Sequence, residues 1–495
     1  MDKDQNIYRH ILKYTGVFGS VQGLSLLVSL VRNKFVAVFL GLEGMGLVGL
    51  YNATVKLMTD STGFGLSTSA VRSVSQAFES ADSCRMRHAV AVLRTWAVLA
   101  SVLGYVLTVA LSPWLSRFTF SSADYTLQFI ILAPAVGLAT LVSCEMAVLK
   151  AMRQLSSLAT ITIFNVLGAL AVSVPVYWIW GIDGIVASLL TVAVLQFVFT
   201  LHFSARACPW RFRASWRLFR RLLSEGCPMV RLGMAFLLAS LCGSAADWFV
   251  RITLNAFGST TDVGLFNAGY MMTMTYGSMM FSSMETDYFP RLSACADRTD
   301  EMNIIVCRQM EVSLLLISPM MVAFSLLLPL LLPLLFTAQF VPAIPMMQVV
   351  IIALYLRAVK LPVAYLPLAK GDSRAFLFLE ALYAVVMVVL VLVGYRWKGL
   401  VGTGYALLLI SVMDLVVQAL FSHYRYGFTW GRSVARYLAF ELLMAAAVYG
   451  CTLIQGWLHW VLGAVLLTVS LSFSLRVLHD KTNIYSDQLR RFKRK

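Results

Sequence analysis

Several basic residues stand well inside long apolar runs, among them Arg32, Lys34, Lys56, Arg251, Arg357 and Lys360. A Lys or Arg at mid-bilayer costs about 2.5–3.5 kcal/mol on insertion scales, so such a residue faces a bundle interior, water or an anion. Helical projection puts Gln22, Ser25, Ser29, Arg32 and Asn33 on one face and turns Lys34 away, toward the membrane interface. Asn52, Lys56, Thr59, Asp60, Gly63 and Ser67 form a second polar stripe, and Ser240, Ser244, Asp247, Arg251 and Asn255 a third. A fourth face begins at Asn267 and continues through Met271, Met274, Ser278 and Glu285. Polar stripes must avoid lipid, so these faces are expected to enclose a hydrated, net-positive cavity.

Each residue then takes an expected role. Arg32, Lys56, Arg251, Arg357 and Lys360 would offset an anionic group, with Gln22, Asn33, Asn52 and Asn267 as polar lining. Asp60 and Asp247 are the candidate protonation sites for ion coupling. Arg72 is placed to pair with Asp287 or Glu285 as an inner gate. The plainer alternative is local neutralisation, because Lys56–Asp60, Asp247–Arg251 and Asp287–Arg291 are all i, i+4 pairs. Arg32 has no acid of its own helix in reach, which leaves a phosphate or Asp247 as its partner. For Arg357 and Lys360, on a helix interrupted by Pro362 and Pro367, cavity lining and a kinked structural helix both remain open. No catalytic constellation, cofactor motif or metal cluster is found; the eight Cys occur singly, without CxxC spacing.

These faces need helices to carry them. The chain has 495 residues, 59% hydrophobic and 13% charged, against about 25% charged in ordinary soluble domains. Apolar runs recur along its length, each able to cross a ~30 Å hydrocarbon core. The expectation is an all-α polytopic membrane protein with about fourteen transmembrane helices. The first spans cover about 15–40 and 46–70, the seventh and eighth 229–256 and 263–289, the tenth 344–369, and the last two 437–455 and 459–478. No cleavage site follows the first run, so it reads as a membrane span rather than a signal peptide.

The net charge of +16 is mostly topology and does not point to nucleic acid. Lys and Arg crowd the tails and one set of loops, while the opposite loops hold only Arg117, Arg396 and Lys398. That bias puts both termini in the cytoplasm. Loops on the outer side are too short for a catalytic domain, and no GxxxxGK[ST] occurs, so ATP-driven transport would need another subunit.

The spans also repeat. Val48-Gly-Leu-Tyr-Asn-Ala53 returns as Val263-Gly-Leu-Phe-Asn-Ala268, each just after a short turn. Phe118-Thr119 and Lys150 return, at similar spacing, as Phe336-Thr337 and Lys370. Fixed-period similarity of this kind marks two copies of one unit. The expected map is a six-helix lobe over 1–204, a basic amphipathic linker over 205–228, a second six-helix lobe over 229–424, and two further helices with a basic tail over 425–495. The lobes would be related by a pseudo-twofold along the membrane normal, with the substrate between them. In the linker, Phe212, Trp216, Phe219 and Leu223 share one face and Arg213, Arg217 and Arg220 another, the pattern of a helix lying on an anionic leaflet.

Short ordered pieces resemble the multidrug/oligosaccharidyl-lipid/polysaccharide (MOP) exporter superfamily and, within it, the Wzx-type O-antigen and polysaccharide flippases. They are Arg32-Asn-Lys-Phe-Val-Ala-Val-Phe-Leu-Gly41, Gly46-Leu-Val-Gly-Leu-Tyr51, Thr59-Asp-Ser-Thr-Gly-Phe-Gly-Leu-Ser67, Phe336-Thr-Ala-Gln-Phe340 and Leu368-Ala-Lys-Gly371. Val31-Arg32 and Lys56-Leu57 also look like cavity positions of the lipid II flippases; Asn33 stands where those tend to carry an acid. The resemblance implies a flippase of the bacterial cytoplasmic membrane, not an enzyme. Its substrate would be an undecaprenyl-pyrophosphate-linked oligosaccharide for O-antigen, capsule or related lipopolysaccharide synthesis, moved by alternating access. Membrane lipids and polysaccharide polymerase machinery are the implied partners. The runner-up is a cation-coupled multidrug antiporter of the same fold, which would favour an acidic, aromatic cavity. A membrane polymerase or sugar transferase would need a larger outer loop.

Overall fold

Glycine decides where the longest helices of this chain turn. A computed structural model describes the backbone of residues 2–79, 82–210, 216–275, 277, 281, 288–289, 291–295, 298–454 and 456–492. It describes their side chains except those of 2–20, 22, 79, 83, 155, 216, 218, 235 and 481–492. The helices are α1 (Asp2–Thr62), α2 (Leu66–Glu79), α3 (Ser83–Phe120), α4 (Thr126–Ala151), α5 (Leu155–Trp180), α6 (Gly184–Ala207) and α7 (Trp216–Phe257). They continue as α8 (Thr260–Tyr270), α9 (Thr299–Leu335), α10 (Ile344–Ala364), the single turn α11 (Leu366–Ala369), α12 (Ser373–Tyr426), α13 (Arg432–Thr452) and α14 (Trp457–Phe492). No strand occurs among the described residues.

Among the described residues, ten helical segments are long and apolar enough to cross a membrane. Three are double length: Gly23–Thr62 with 40 residues, Ser156–Ala207 with 52 and Ser373–Tyr426 with 54. A crossing needs about 20 residues, so each of these holds two. Each is divided at a glycine with positive φ: Gly41 at 63°, Gly181 at 53° and Gly399 at 56°. An L side chain adopts that region only at a cost, so glycine is what permits these reversals. The expected span 263–289 starts in α8 and runs into residues outside the description. The chain is thus an all-helical, multi-pass membrane protein.

Chain contacts form two compact units. Unit 1 holds Met1–Gly264 with Leu335–Thr337, and unit 2 holds Leu265–Leu334 with Ala338–Lys495. The two-lobe map drawn from internal similarity is a different division and remains a proposal. Within 205–228, residues 211–215 lie outside the description, and Trp216 already begins α7. The segment 216–228 is therefore continuous with a long helix that passes Pro228 and ends at Phe257.

In unit 1, α3 packs on α4, α4 and α5 on α6, and α1 on α5 and α7. Leu66, Ala70 and Val74 put one face of α2 into a core shared with Leu93, Ala97 and Ala100 of α3 and Cys144, Ala147 and Val148 of α4. An ion pair crosses this core: Arg94 Nε lies 2.8 Å from Glu145 Oε1, and Nη2 donates to Oε2 at 2.9 Å. The same guanidinium donates to the carbonyl of Cys208 at 2.9 Å and lies 4.7 Å from the Trp210 ring centroid. It thereby ties the chain leaving α6 to α3 and α4.

In unit 2, α10 is the central helix, with 67% of its apolar stretch buried against 17% for α14. It packs on α12 and α13, and α13 packs on α14.

Candidate functional site

The second half of α1 lies antiparallel along α7, both within unit 1, and four pairs fix the register. At one end, a Cβ on Gly46 would lie 2.0 Å from the Thr260 carbonyl oxygen. Next, Trp248 Nε1 donates to Thr54 Oγ1 at 2.9 Å, with Trp248 fully buried. Further along, the Asp60 carboxyl faces Ser240 and Ser244. At the far end, just past α1, a Cβ on Gly65 would lie 2.1 Å from the Gly233 carbonyl oxygen. Only glycine allows backbones this close at both ends.

This register brings two of the expected stripes onto one seam. Asn52 and Lys56 are exposed on the second half of α1, and Thr59 and Asp60 are half-buried. Thr59 Oγ1 and Asp60 Oδ2 are buried atoms without a hydrogen-bond partner. Lys56 lies near enough to act on Asp60, yet among the described residues the two close no ion pair. Opposite them, Ser244 is buried, and Asp247 and Arg251 form an intrahelical ion pair with side chains 26% and 12% exposed. Arg251 Nη1 also donates to the Asp247 carbonyl at 2.9 Å. Asn255 leaves the seam and donates Nδ2 to the Thr119 carbonyl at 2.9 Å.

Upstream of the Gly41 kink, Arg32 is half-buried and its Nε is a buried donor with no partner. An orphaned donor of this kind costs about 1–3 kcal/mol, so an acceptor brought to it is strongly favoured. Ser25 Oγ, two turns earlier, is likewise buried without a partner, and Asn33 is buried. Lys34 reaches past the end of α9. Its ammonium donates to the backbone carbonyl of Phe336, a residue of the same compact unit. The repeated Phe-Thr pieces are therefore held alike, Thr119 by Asn255 and Phe336 by Lys34.

Asn267, Arg357 and Lys360 fall in unit 2. Asn267 is buried in α8, and the helix then widens into a π-helix over Met271–Thr275. That widening sits where the repeat register matches Met271 to Lys56, and π-turns recur at functional positions. Arg357 is half-buried on α10, with Nη1 3.7 Å from Met274 Sδ. Lys360 pairs with Asp414 of α12 at 2.7 Å and faces the Tyr383 ring. Arg72 is exposed on α2. Glu285 and Asp287 lie outside the described residues, as does the side chain of Gln22, so the expected gate is not described. Among the described residues no group of three or more His, Cys, Asp or Glu could hold a metal ion.

Spacing rules missed Asp414, Arg94 and Glu145 for one reason. Their partners are on other helices, and i, i+4 spacing reports only on its own helix.

Comparison with known proteins follows this geometry. Residues 35–345 match the family described as polysaccharide biosynthesis protein. No curated protein matches the sequence. A solved lipid II flippase MurJ, in an inward closed conformation, superposes with a TM-score of 0.69 at 13% identity, covering 93% of this chain and 99% of that one. An inward-facing multidrug resistance MATE transporter of the MOP superfamily gives 0.67 at 16% identity, over 81% of this chain and 94% of its own. A MOP superfamily transporter from Pyrococcus furiosus gives 0.61 at 15% identity, over 84% and 96%. At these identities the likeness is one of fold. The matched stretch is well over half of the sequence, and the chain belongs to the polysaccharide biosynthesis protein family, built on the fold of the MOP exporters.

Proposed function

We propose that this protein is a flippase for undecaprenyl-pyrophosphate-linked oligosaccharide, carrying repeat units from the inner to the outer leaflet of a bacterial cytoplasmic membrane. The observation that carries this reading is Arg32, a cation deep in an apolar helix whose buried Nε has no partner. A pyrophosphate supplies acceptors of the kind that donor lacks, and its charge cannot cross a bilayer unless it is offset. Lys56, exposed on the second half of α1, is the second cation offered. Arg251 and Lys360 already neutralise Asp247 and Asp414, so their part is to set the local field rather than to meet the phosphates first.

In this reading the head group enters the polar seam, the lipid tail stays in the bilayer, and alternation of the two sequence repeats exposes the head group outside. Both termini are cytoplasmic, from the charge bias of the loops. The product would feed O-antigen, capsule or related polysaccharide synthesis, with a polymerase as downstream partner. Membership of a polysaccharide biosynthesis family supports the substrate class. Asp60, with one buried and unpartnered carboxylate oxygen beside Ser240 and Ser244, is the candidate for ion coupling. That same oxygen is what favours the second reading, a cation-coupled multidrug antiporter.

Complementation separates the two. A strain lacking its own flippase should regain surface polysaccharide and lose its accumulated lipid-linked precursor when this protein is expressed. Drug resistance without restored polysaccharide would establish the antiporter instead.

A further inference from the structure

Glu441 lies near the middle of α13 and is the only acid on that helix. It is fully buried. Its Oε2 accepts from Ser318 Oγ of α9, and Ser318 Oγ is 3.1 Å from Ser470 Oγ of α14. The Tyr355 hydroxyl of α10 donates to the Ser318 carbonyl at 3.3 Å. Four helices of unit 2 thus meet at one carboxyl. Its other oxygen, Oε1, is buried without a partner, and so is Ser474 Oγ, one turn beyond Ser470. No Lys, Arg or His pairs with Glu441 among the described residues, and Tyr355 is the titratable group that faces it from the packed helices. On one side, Val322, Leu326 and Val448 close over the site with Leu466 and Leu467.

A bare carboxylate here would be served by a single hydrogen bond and no counter-charge. Taking an ion out of water without a partner costs several kcal/mol, and an acid so placed binds a proton instead. Against that cost the hydroxyls offer a carboxylate only one donor. Ser318 has one proton and gives it to Oε2, so Ser470 must donate to Ser318, and the chain of donors ends on a single carboxyl oxygen. A sodium ion would need a cage of oxygens, usually completed by unwound backbone. Here α13 and α14 run through the site without an internal proline, and α9 stays helical on both sides of Pro319, the residue after Ser318, so no stretch of backbone is unwound to complete such a cage.

We propose that Glu441 is a proton-binding site of the membrane domain, neutral while α13 and α14 are docked on α9, and that losing its proton undocks the pair. The last two helices then act as a proton-sensitive arm of the protein. The proton bound is the ligand; Glu441 is ionised on release, and the carboxylate must find water or a cation, which the closed packing withholds and water entering between α9 and the α13–α14 pair would supply. Binding at Glu441 does not depend on what the protein transports, so it is measured without any transport substrate.

The test is infrared difference spectroscopy on the purified full chain in lipid nanodiscs, in sodium-free buffer at neutral pH. A protonated-carboxyl C=O band is expected in the wild type, lost at alkaline pH and missing in Glu441→Gln. Ser470→Ala keeps the acid and should keep the band at a shifted frequency, since one bond in the donor chain is gone. Amide exchange of α13 and α14 should rise with pH in the wild type and become pH-independent in Glu441→Gln. A wild type without that band at neutral pH overturns the proposal, as does a band that survives Glu441→Gln. So does thermal stability that rises with sodium at fixed pH in the wild type but not in Glu441→Gln.

Discussion

Lys360 of α10 and Asp414 of α12 form an ion pair of 2.7 Å, with side chains 16% and 8% exposed. Lys360 also lies 5.2 Å from the centroid of the Tyr383 ring. Removing one partner of a buried pair leaves the other charge uncompensated, at a cost of about 3–5 kcal/mol. Asp414→Ala should therefore lower stability by about that much, whereas the double change Lys360→Met, Asp414→Leu should recover most of it. Denaturation in detergent, compared across the wild type and the two variants, measures the difference.

Arg94 presents a different case, because its guanidinium serves Glu145, the Cys208 carbonyl and the Trp210 ring at once. A lysine keeps the charge but loses the planar fork, so Arg94→Lys should fail to rescue. The expected loss is about 1.5–3 kcal/mol per charged hydrogen bond removed, read as a lowered melting temperature of the Lys variant.

Gly65 has φ of 62°, and a Cβ there would meet the Gly233 carbonyl oxygen at 2.1 Å. Gly65→Ala carries about 1–2 kcal/mol of backbone cost before the steric contact is counted. Gly23 is the internal control: nothing lies within 4 Å of its Cβ position, and it sits within a helix. Gly23→Ala should stabilise by up to about 1 kcal/mol through helix propensity. Thermal denaturation of the two variants should move in opposite directions.

Much of this framework is legible in the sequence, and the limits have physical causes. Apolar length fixes where helices run, and glycines at 41, 181 and 399 mark the turns because their pairing of positive φ with ψ between −131° and −159° is a region kept almost entirely to glycine. The Asp247–Arg251 pair follows from helical spacing alone. The hexamer repeat leads correctly to Asn267 but not to the π-helix after it, since hydrogen-bond register leaves no residue signature. Lys34, Lys360, Arg94 and Glu441 were not readable, because each is explained by a residue far away in the chain.

Outside the membrane-spanning segments, Asp372 caps α12. It accepts from Ala375 N–H at 3.1 Å, from Arg425 Nη2 at 2.9 Å and from the Tyr426 hydroxyl at 3.2 Å. The backbone bond, then Arg425, holds its carboxyl below the ordinary range. A depressed carboxyl contributes stability that is present above its unfolded value of about 3.9 and is lost as pH falls through the lower folded value. Wild-type protein should thus lose stability below about pH 4, and Asp372→Asn should flatten that limb of an acid-denaturation curve.

The central claim concerns Arg32 and Lys56. Purified protein should bind an undecaprenyl-pyrophosphate-linked oligosaccharide, and native mass spectrometry reads that affinity directly. In the Arg32→Gln, Lys56→Gln double variant the affinity should fall at least about tenfold, equivalent to about 1.4 kcal/mol, while the folded protein remains intact. Undiminished affinity in a folded double variant would contradict Arg32 and Lys56 as the residues that receive the pyrophosphate.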